Sequence, residues 1–293
     1  MSPSVQSAAR APETKDAPAT QAPSTQERFA FGKNWQRFLA SMNEERIGVA
    51  ESSLCSMLQT GSLKGKTFLD IGAGSGLFSL AAMRLGATRV HSFDFDKDSV
   101  ACVRELKSRY FRDAECWTIE QGSVLDQQYL SKLEQFDVVY SWGVLHHTGS
   151  LWQALGNACE RLAPGGILFI AIYNDEGLRS RLWRAVKLRY CRSLTWRVPI
   201  VIGFGTLFSA KGLVKDLVLL RNPLARYRTY KDQRGMSYFT DVLDWLGGYP
   251  FEVAKPDDVI DACCGRGFVL TKFKSPKQPK GNNEYVFTRI APR

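Results

Sequence analysis

No C-x-x-C pair occurs among the seven cysteines of this 293-residue chain, and the closest two, Cys263 and Cys264, are adjacent. An odd count without that spacing argues against a disulfide framework or a zinc site and makes a reduced, cytoplasmic setting the expectation. No metal is expected. Uninterrupted apolar runs of about 18 residues or more are lacking, so a spanning segment is not expected either. Residues 1–27 have almost no large apolar side chains; rich in Ala, Pro, Ser, Thr and Gln, they read as a disordered tail. That stretch lacks the apolar core of a secretory signal, and Glu13 and Asp16 set it apart from a transit peptide. Histidine is scarce, at three residues. Acids are outnumbered: 39 Lys and Arg stand against 29 Asp and Glu, a net charge of +10. That surplus suits an anionic partner without choosing one.

What is present is globular. Hydrophobic residues make up 44% of the chain, enough for one domain with additions. Residues 28–65 carry Phe29, Phe31, Trp35, Phe38, Leu39 and Met42 at near-helical spacing and predict N-terminal helices. Residues 66–175 alternate between apolar runs and helical patterns. The runs are 67–71, 90–95, 117–120, 136–141 and 166–173, with helices over 78–85, 100–110, 128–133 and 151–162. Such alternation predicts a parallel sheet with right-handed crossovers, covered on both faces. Residues 176–250 break the rhythm as an insert. Residues 251–293 complete the core, with a helix opening at Pro256-Asp257-Asp258 and strands over 268–273 and 284–290. The expected fold is α/β: a Rossmann-like, mostly parallel sheet of seven strands, an N-terminal helical lid and an inserted helical subdomain.

The segment Asp70-Ile71-Gly72-Ala73-Gly74-Ser75-Gly76-Leu77 reads as a strand end, a glycine turn and a helix start. Glycines permit positive φ and close approach of a ligand, and a helix N-terminus favours an anionic group. The dinucleotide pattern G-x-G-x-x-G fails here, because Leu77 stands where it requires the third glycine, and no G-x-x-x-x-G-K-[ST] is present. Asp70, two residues before Gly72, suits a ligand carrying an ammonium better than a pyrophosphate. A non-catalytic, membrane-associated nucleotide-binding module and a dehydrogenase remain as alternatives.

The turn and the loops after it resemble class I S-adenosylmethionine (SAM)-dependent methyltransferases. The resemblance covers 66–174 well and 251–290 loosely. It implies that Asp70, Gly72, Gly74 and Gly76 hold the amino-acid end of SAM, and that Asp94 meets the ribose diol. Phe95, Ser123, Val124 and Trp142 then line the adenosine. Ser123 departs from the family, which usually places Asp there. Leu162-Ala163-Pro164-Gly165-Gly166 matches the family's turn before the fifth strand. Phe31-Gly32-Lys33-Asn34-Trp35, Ala171–Asp175 and Asp244–Pro250 are similar to a bacterial subgroup resembling small-molecule O-methyltransferases. The implied function is methyl transfer to a small-molecule, sugar or lipid-linked acceptor, with an RNA or other macromolecule as the alternative. His146 and His147, directly after the fourth strand, would face the methyl. His147 is preferred as base, against a structural reading in which it anchors its loop through a backbone bond. Asp175 is a second base candidate, and Tyr173 could orient an acceptor. His91, inside the second strand, reads as structural, and Asp137 lies at the wrong end of its strand.

Residues 179–234 hold fourteen basic side chains and two acids, so the insert carries the chain's basic surplus. It is also apolar. Leu178, Leu182, Val186 and Tyr190 are spaced four apart, and Val198–Phe208 is an eleven-residue apolar run, too short to span a bilayer. Three uses compete: a cap recognising the acceptor, peripheral attachment to an anionic membrane at the inner surface, and RNA binding. The last is disfavoured because no RNA-binding signature is present. A solvated basic face over an ordinary helical subdomain is the plain alternative. Met236, Asp241, Asp244, Trp245 and Tyr249 could return the chain to the pocket.

Overall fold

The computed structural model describes residues 32–40, 42–219, 222, 246–276 and 281–290. The expected tail, Phe29 and Phe31, and Met236, Asp241, Asp244 and Trp245 lie outside the described residues.

Seven strands form one sheet: β1 (Thr67–Ile71), β2 (Arg89–Asp94), β3 (Trp117–Gln121), β4 (Phe136–Trp142), β5 (Leu162–Tyr173), β6 (Phe268–Lys274) and β7 (Asn282–Arg289). Their order is β3-β2-β1-β4-β5-β7-β6. The five strands β1–β5 run parallel, while β7 is antiparallel to both β5 and β6. Leu69, Ile71, Phe93, Val139, Leu168, Ile170 and Phe287 point to one face. Phe68, Val90, Val138, Tyr140, Phe169 and Val286 point to the other. This two-sided burial is why the strands read as nearly continuous apolar runs. Each large side chain buried here contributes about 1.5–3 kcal/mol.

Helices α2 (Glu44–Leu58), α3 (Leu77–Arg84) and α4 (Lys97–Tyr110) cover the second face through Ile47, Leu54, Leu80, Val103 and Leu106. Helix α4 starts three residues earlier than the apolar pattern suggests, because Asp96 caps it by accepting from the Asp98 N–H. Helix α1 (Gly32–Leu39) lies against α4, tied by Gly32 N–H donating to Asp96 at 2.9 Å. The first face is covered by α5 (Gln127–Leu130) and α6 (Leu151–Glu160), and by the helix opening at Pro256. At the far end of β1 the Asp137 carboxylate accepts from the Thr67 N–H and hydroxyl, pinning β1 to β4 away from the glycine turn. Strand β5 begins at Leu162 rather than Gly166, so the Pro-Gly-Gly turn sits within it. A side chain at Gly166 would lie 2.9 Å from the Asp137 carbonyl, which explains the glycine.

The insert begins with α7 (Leu178–Arg192) and α8 (Leu194–Val218); Pro256–Cys264 is then α9. The apolar run 198–208 does not stop at its ends. It is the middle of the 25-residue α8, which continues through Pro199 and is long and apolar enough, by length and composition, to cross a membrane. This corrects the reading of the run as too short. Pro199, the sixth residue of the helix, lies past the first turn and leaves the Thr195 carbonyl without its helical N–H donor.

Candidate active site

Strand order reverses at β1, which has β2 on one side and β4 on the other. In an open parallel sheet that reversal opens a crevice beyond the strands' carboxyl ends. The glycine turn occupies it. Gly72, Gly74 and Gly76 have φ of 75°, 56° and 81°, and the N–H groups of Gly72 and Ala73 donate to Phe93 O at 2.8 and 3.1 Å. Space is as restrictive as conformation. A β-carbon on Gly72 would lie 2.4 Å from Val144, and one on Gly74 would lie 3.0 Å from the Trp35 ring. Trp35 of α1, which sequence spacing marked only as part of an apolar face, thus lies over the turn.

Asp94 ends β2 beside it. Its Oδ2 accepts from Gly74 N–H at 2.9 Å and its Oδ1 from Asp96 N–H at 2.8 Å. Burial pushes its carboxyl up to about 6, against the pull of those bonds. Asp70 is turned inward. Its carboxylate accepts from the Ser79 hydroxyl, which contacts Ser92 Oγ at 2.7 Å, and Ser92 accepts from Trp117 Nε1 at 2.9 Å. Burial pushes Asp70 up to about 7, Ser79 opposes the shift, and Asp94 adds to it.

Beyond Asp94 the ends of β2 and β3 are fastened together. Gly122 N–H donates to Asp94 O at 3.0 Å, and Gln121 Nε2 donates to Phe95 O at 3.0 Å. That brings Phe95, Ser123 and Val124 to one edge. Ser123 Oγ accepts from Leu125 N–H, and Val124 O from Asn157. Phe95 and Trp142 remain 46% and 43% exposed at this edge. Trp142 is oriented by donating from Nε1 to Glu284 at 3.0 Å.

The histidines sit in a short 3₁₀ turn, Leu145–His147, after β4. His147 Nδ1 is 2.6 Å from Pro250 O. A carbonyl only accepts, so Nδ1 carries the proton and the neutral ring's lone pair is on Nε2. Burial holds His147 down to about 4, with Lys187 contributing. His146 is fully buried, with Nδ1 3.4 Å from the Tyr173 N–H; its Nε2 has no hydrogen-bond partner among the described residues. Burial, then His147 and Lys187, push its pKa well down. The Tyr173 ring centroid lies 4.0 Å from that of His146 and 5.3 Å from that of Phe251, with both pairs tilted at 42°. Glu252 closes the loop: its N–H donates to His146 O at 2.9 Å, and its carboxylate accepts from Leu151 N–H at the start of α6. Asp175 instead accepts from Gly177 N–H at 2.8 Å, turning the chain into α7. His91 lies in β2 near Tyr129 and Glu120, away from this cluster.

Besides Phe251 and Glu252, a buried member of the site was not singled out from sequence. Lys187 of α7 is 1% exposed, with Nζ 5.2 Å from the Phe251 ring centroid. Burial pushes its ammonium down to about 7. The signal was available in outline: Ser180, Lys187 and Tyr190 are the buried positions of α7 and lie three and seven residues apart, the interval of one helix face.

A parallel sheet ending in an antiparallel β7, with a glycine turn and an acid after β2, defines the class I SAM-dependent methyltransferase fold. Residues 69–168 match the family model of a methyltransferase domain, and this part of the chain belongs to that class. A ubiquinone biosynthesis O-methyltransferase of Rhodopseudomonas palustris (strain BisB5) is 27% identical over 157 residues, 51% of this chain and 56% of that protein. A tRNA U34 carboxymethyltransferase of Pseudoalteromonas translucida is 33% identical over 199 residues, 64% of this chain and 59% of that protein. The chain thus spans little more than half the length of these relatives. Magnesium protoporphyrin IX methyltransferase of Synechocystis PCC 6803, solved with bound SAM, superposes with a TM-score of 0.54 at 12% identity, over 92% of this chain and 100% of that one.

Proposed function

We propose that this protein transfers the methyl group of SAM to an oxygen of a small-molecule, sugar or lipid-linked acceptor. The observation that carries the proposal is the pairing of a SAM-type cradle with a buried histidine turn at the same end of the sheet. The residues present fit the cofactor. Asp94 offers a carboxylate to a diol at the edge of the glycine turn. Phe95 and Trp142 leave apolar ring surface for a purine, flanked by Ser123 and Val124. Gly72, Gly74 and Gly76 keep the backbone free of side chains where the amino-acid end would lie, and Asp70 supplies negative charge behind them.

Bound SAM supplies an electrophilic methyl on a positively charged sulfur, so transfer is an in-line displacement needing alignment and exclusion of water. Trp35 and α1 serve as the lid over the cradle. His147, its tautomer set by Pro250, takes the acceptor's proton at Nε2. His146 holds an unsatisfied ring nitrogen beside it, suited to an acceptor oxygen. A positioned base contributes about 10²–10⁴-fold. The test is binding of labelled SAM to the purified chain, followed by label transfer to fractionated small-molecule and lipid extracts. Asp94→Ala should lose binding, while His147→Ala should bind normally and lose transfer. Equal transfer by wild type and His147→Ala would remove the base assignment, and no binding by wild type would remove the whole proposal.

A further inference from the structure

Helix α8 presents a face that water does not suit. Trp196, Ile202, Leu207, Leu213, Val214 and Leu217 are each between 43% and 60% exposed. From Ile202 through Thr206, Ala210 and Leu213 to Leu217 the stripe follows the three-to-four-residue helical interval. The polar member of that stripe, Thr206, turns its hydroxyl back onto Ile202 O at 2.8 Å. From Trp196 to Leu217 the face runs about 30 Å, longer than the scattered apolar residues of an ordinary surface. The helix is nevertheless seated. Ile200, Val201 and Phe204 pack with Tyr190 and Leu246, and the Phe204 and Trp183 rings are 5.0 Å apart.

Charge identifies the occupant. Between Gly177 and Lys215 the chain holds nine Lys and Arg and no acid. Arg181, Arg184 and Arg192 are exposed on α7, alongside Leu178 and Leu182. An apolar stripe flanked by cations complements an anionic bilayer, where acyl chains take the stripe and headgroups meet the arginines.

We propose that α7 and α8 dock the protein on an anionic membrane surface, with α8 lying in the interfacial plane. An in-plane pose follows from the packing: α8 holds the protein along one side, so crossing the bilayer would strip it from Tyr190 and Leu246. Docking goes beyond methyl transfer and stands without it. If the transfer reading also holds, the acceptor is lipid-borne, because α7 carries arginines outside and Lys187 inside, against Phe251 and the histidines.

The test is flotation of the full chain with vesicles of phosphatidylcholine alone or mixed with phosphatidylglycerol. The expected result is recovery with the mixed vesicles, weaker recovery with phosphatidylcholine, and loss at high salt. Ile202→Ser/Leu213→Ser/Leu217→Ser, all at exposed positions, should abolish flotation while leaving the circular dichroism spectrum and SAM calorimetry unchanged. Arg181→Glu/Arg184→Glu should lower partition by about tenfold or more. In wild type, Trp196 emission should be quenched by brominated lipid. The proposal falls if wild type stays with neither vesicle, or if the triple variant floats equally well. It also falls if the chain is a vesicle-free dimer that the triple variant makes monomeric, because the face then belongs to a second copy. Absence of SAM binding with flotation intact would overturn only the transfer reading.

Discussion

Asp94 carries two backbone bonds with one carboxylate, so its replacement separates cofactor binding from folding more cleanly than a glycine change does. Asp94→Asn keeps the shape but turns an amide nitrogen toward one of the two N–H groups that now donate to it. Hydrogen bonds to a charged group contribute about 1.5–3 kcal/mol each, so SAM affinity should fall by about 10–100-fold in equilibrium binding. An unchanged affinity would mean that Asp94 serves only the turn. Lys187 invites the opposite experiment. Its ammonium is buried against a phenyl ring, and burial alone lowers its pKa. Lys187→Met, similar in length and uncharged, removes the ammonium while keeping most of the side chain's bulk. If Lys187 lines the acceptor space, the same variant should transfer methyl more slowly with SAM binding unaltered. Such residues mark the limit of reading a chain as a string. Asp94 announces itself by position after a strand, whereas Lys187 is one of fourteen basic residues in its segment, and only the packing of α7 separates it from the rest.

At the level of elements, legibility followed burial. The strands β1 to β5 lie between two covered faces, so their composition is dominated by one requirement and their positions are plain in the sequence. The insert answers to two environments. Its apolar residues are exposed on α8 and Lys187 is buried on α7, so hydropathy marked only the middle of α8 and did not show which face of α7 is inward. The candidate site divides in the same way. Its cradle is built from glycines and an acid fixed by local turn geometry, while Phe251, Glu252 and Trp35 reach it from about a hundred residues away or from a separate helix. The lid contact is testable through Gly32. A β-carbon there would lie 2.4 Å from Asp98 Cβ and would disturb the Gly32 N–H bond to Asp96. Gly32→Ala should therefore unseat α1, weakening SAM binding and exposing Trp35, while the sheet core melts at nearly its original temperature. Trp35 accessibility to acrylamide is the readout. Protection equal to that of wild type would mean α1 is held by its other contacts.

For the whole molecule, the buried titratable groups set a pH profile whose sign can be worked out group by group. Asp70 and Asp94 are raised from 3.8 to about 7 and about 6. Their protonated native forms are favoured, so that contribution is complete below about pH 4 and is lost as pH rises through 6 to 7. His146 and His147 are depressed, His147 to about 4. Their contribution is present above 6.5 and is lost as pH falls toward 4. Lys187, lowered from 10.5 to about 7, contributes in full above 10.5 and loses that contribution as pH falls through 7. Between pH 4 and 6.5 the acids and histidines pull in opposite directions. Above 7 only Lys187 among these five still changes, and it favours the native state as pH rises. The ligand-free chain should therefore melt at a nearly constant temperature from pH 5 to 7 and more stably toward pH 9. Lys187→Met should flatten the alkaline rise. SAM changes the acid side. Its positive charges favour ionised Asp70 and Asp94, so binding expels protons and tightens as pH rises through 6 to 7. Calorimetry at pH 6 in two buffers of different ionisation enthalpy measures that release directly. Net proton release that shrinks in Asp94→Asn to the share of Asp70 is the expected outcome. Equal heats in both buffers would mean that the two carboxyls are already ionised or lie beyond the ligand's reach.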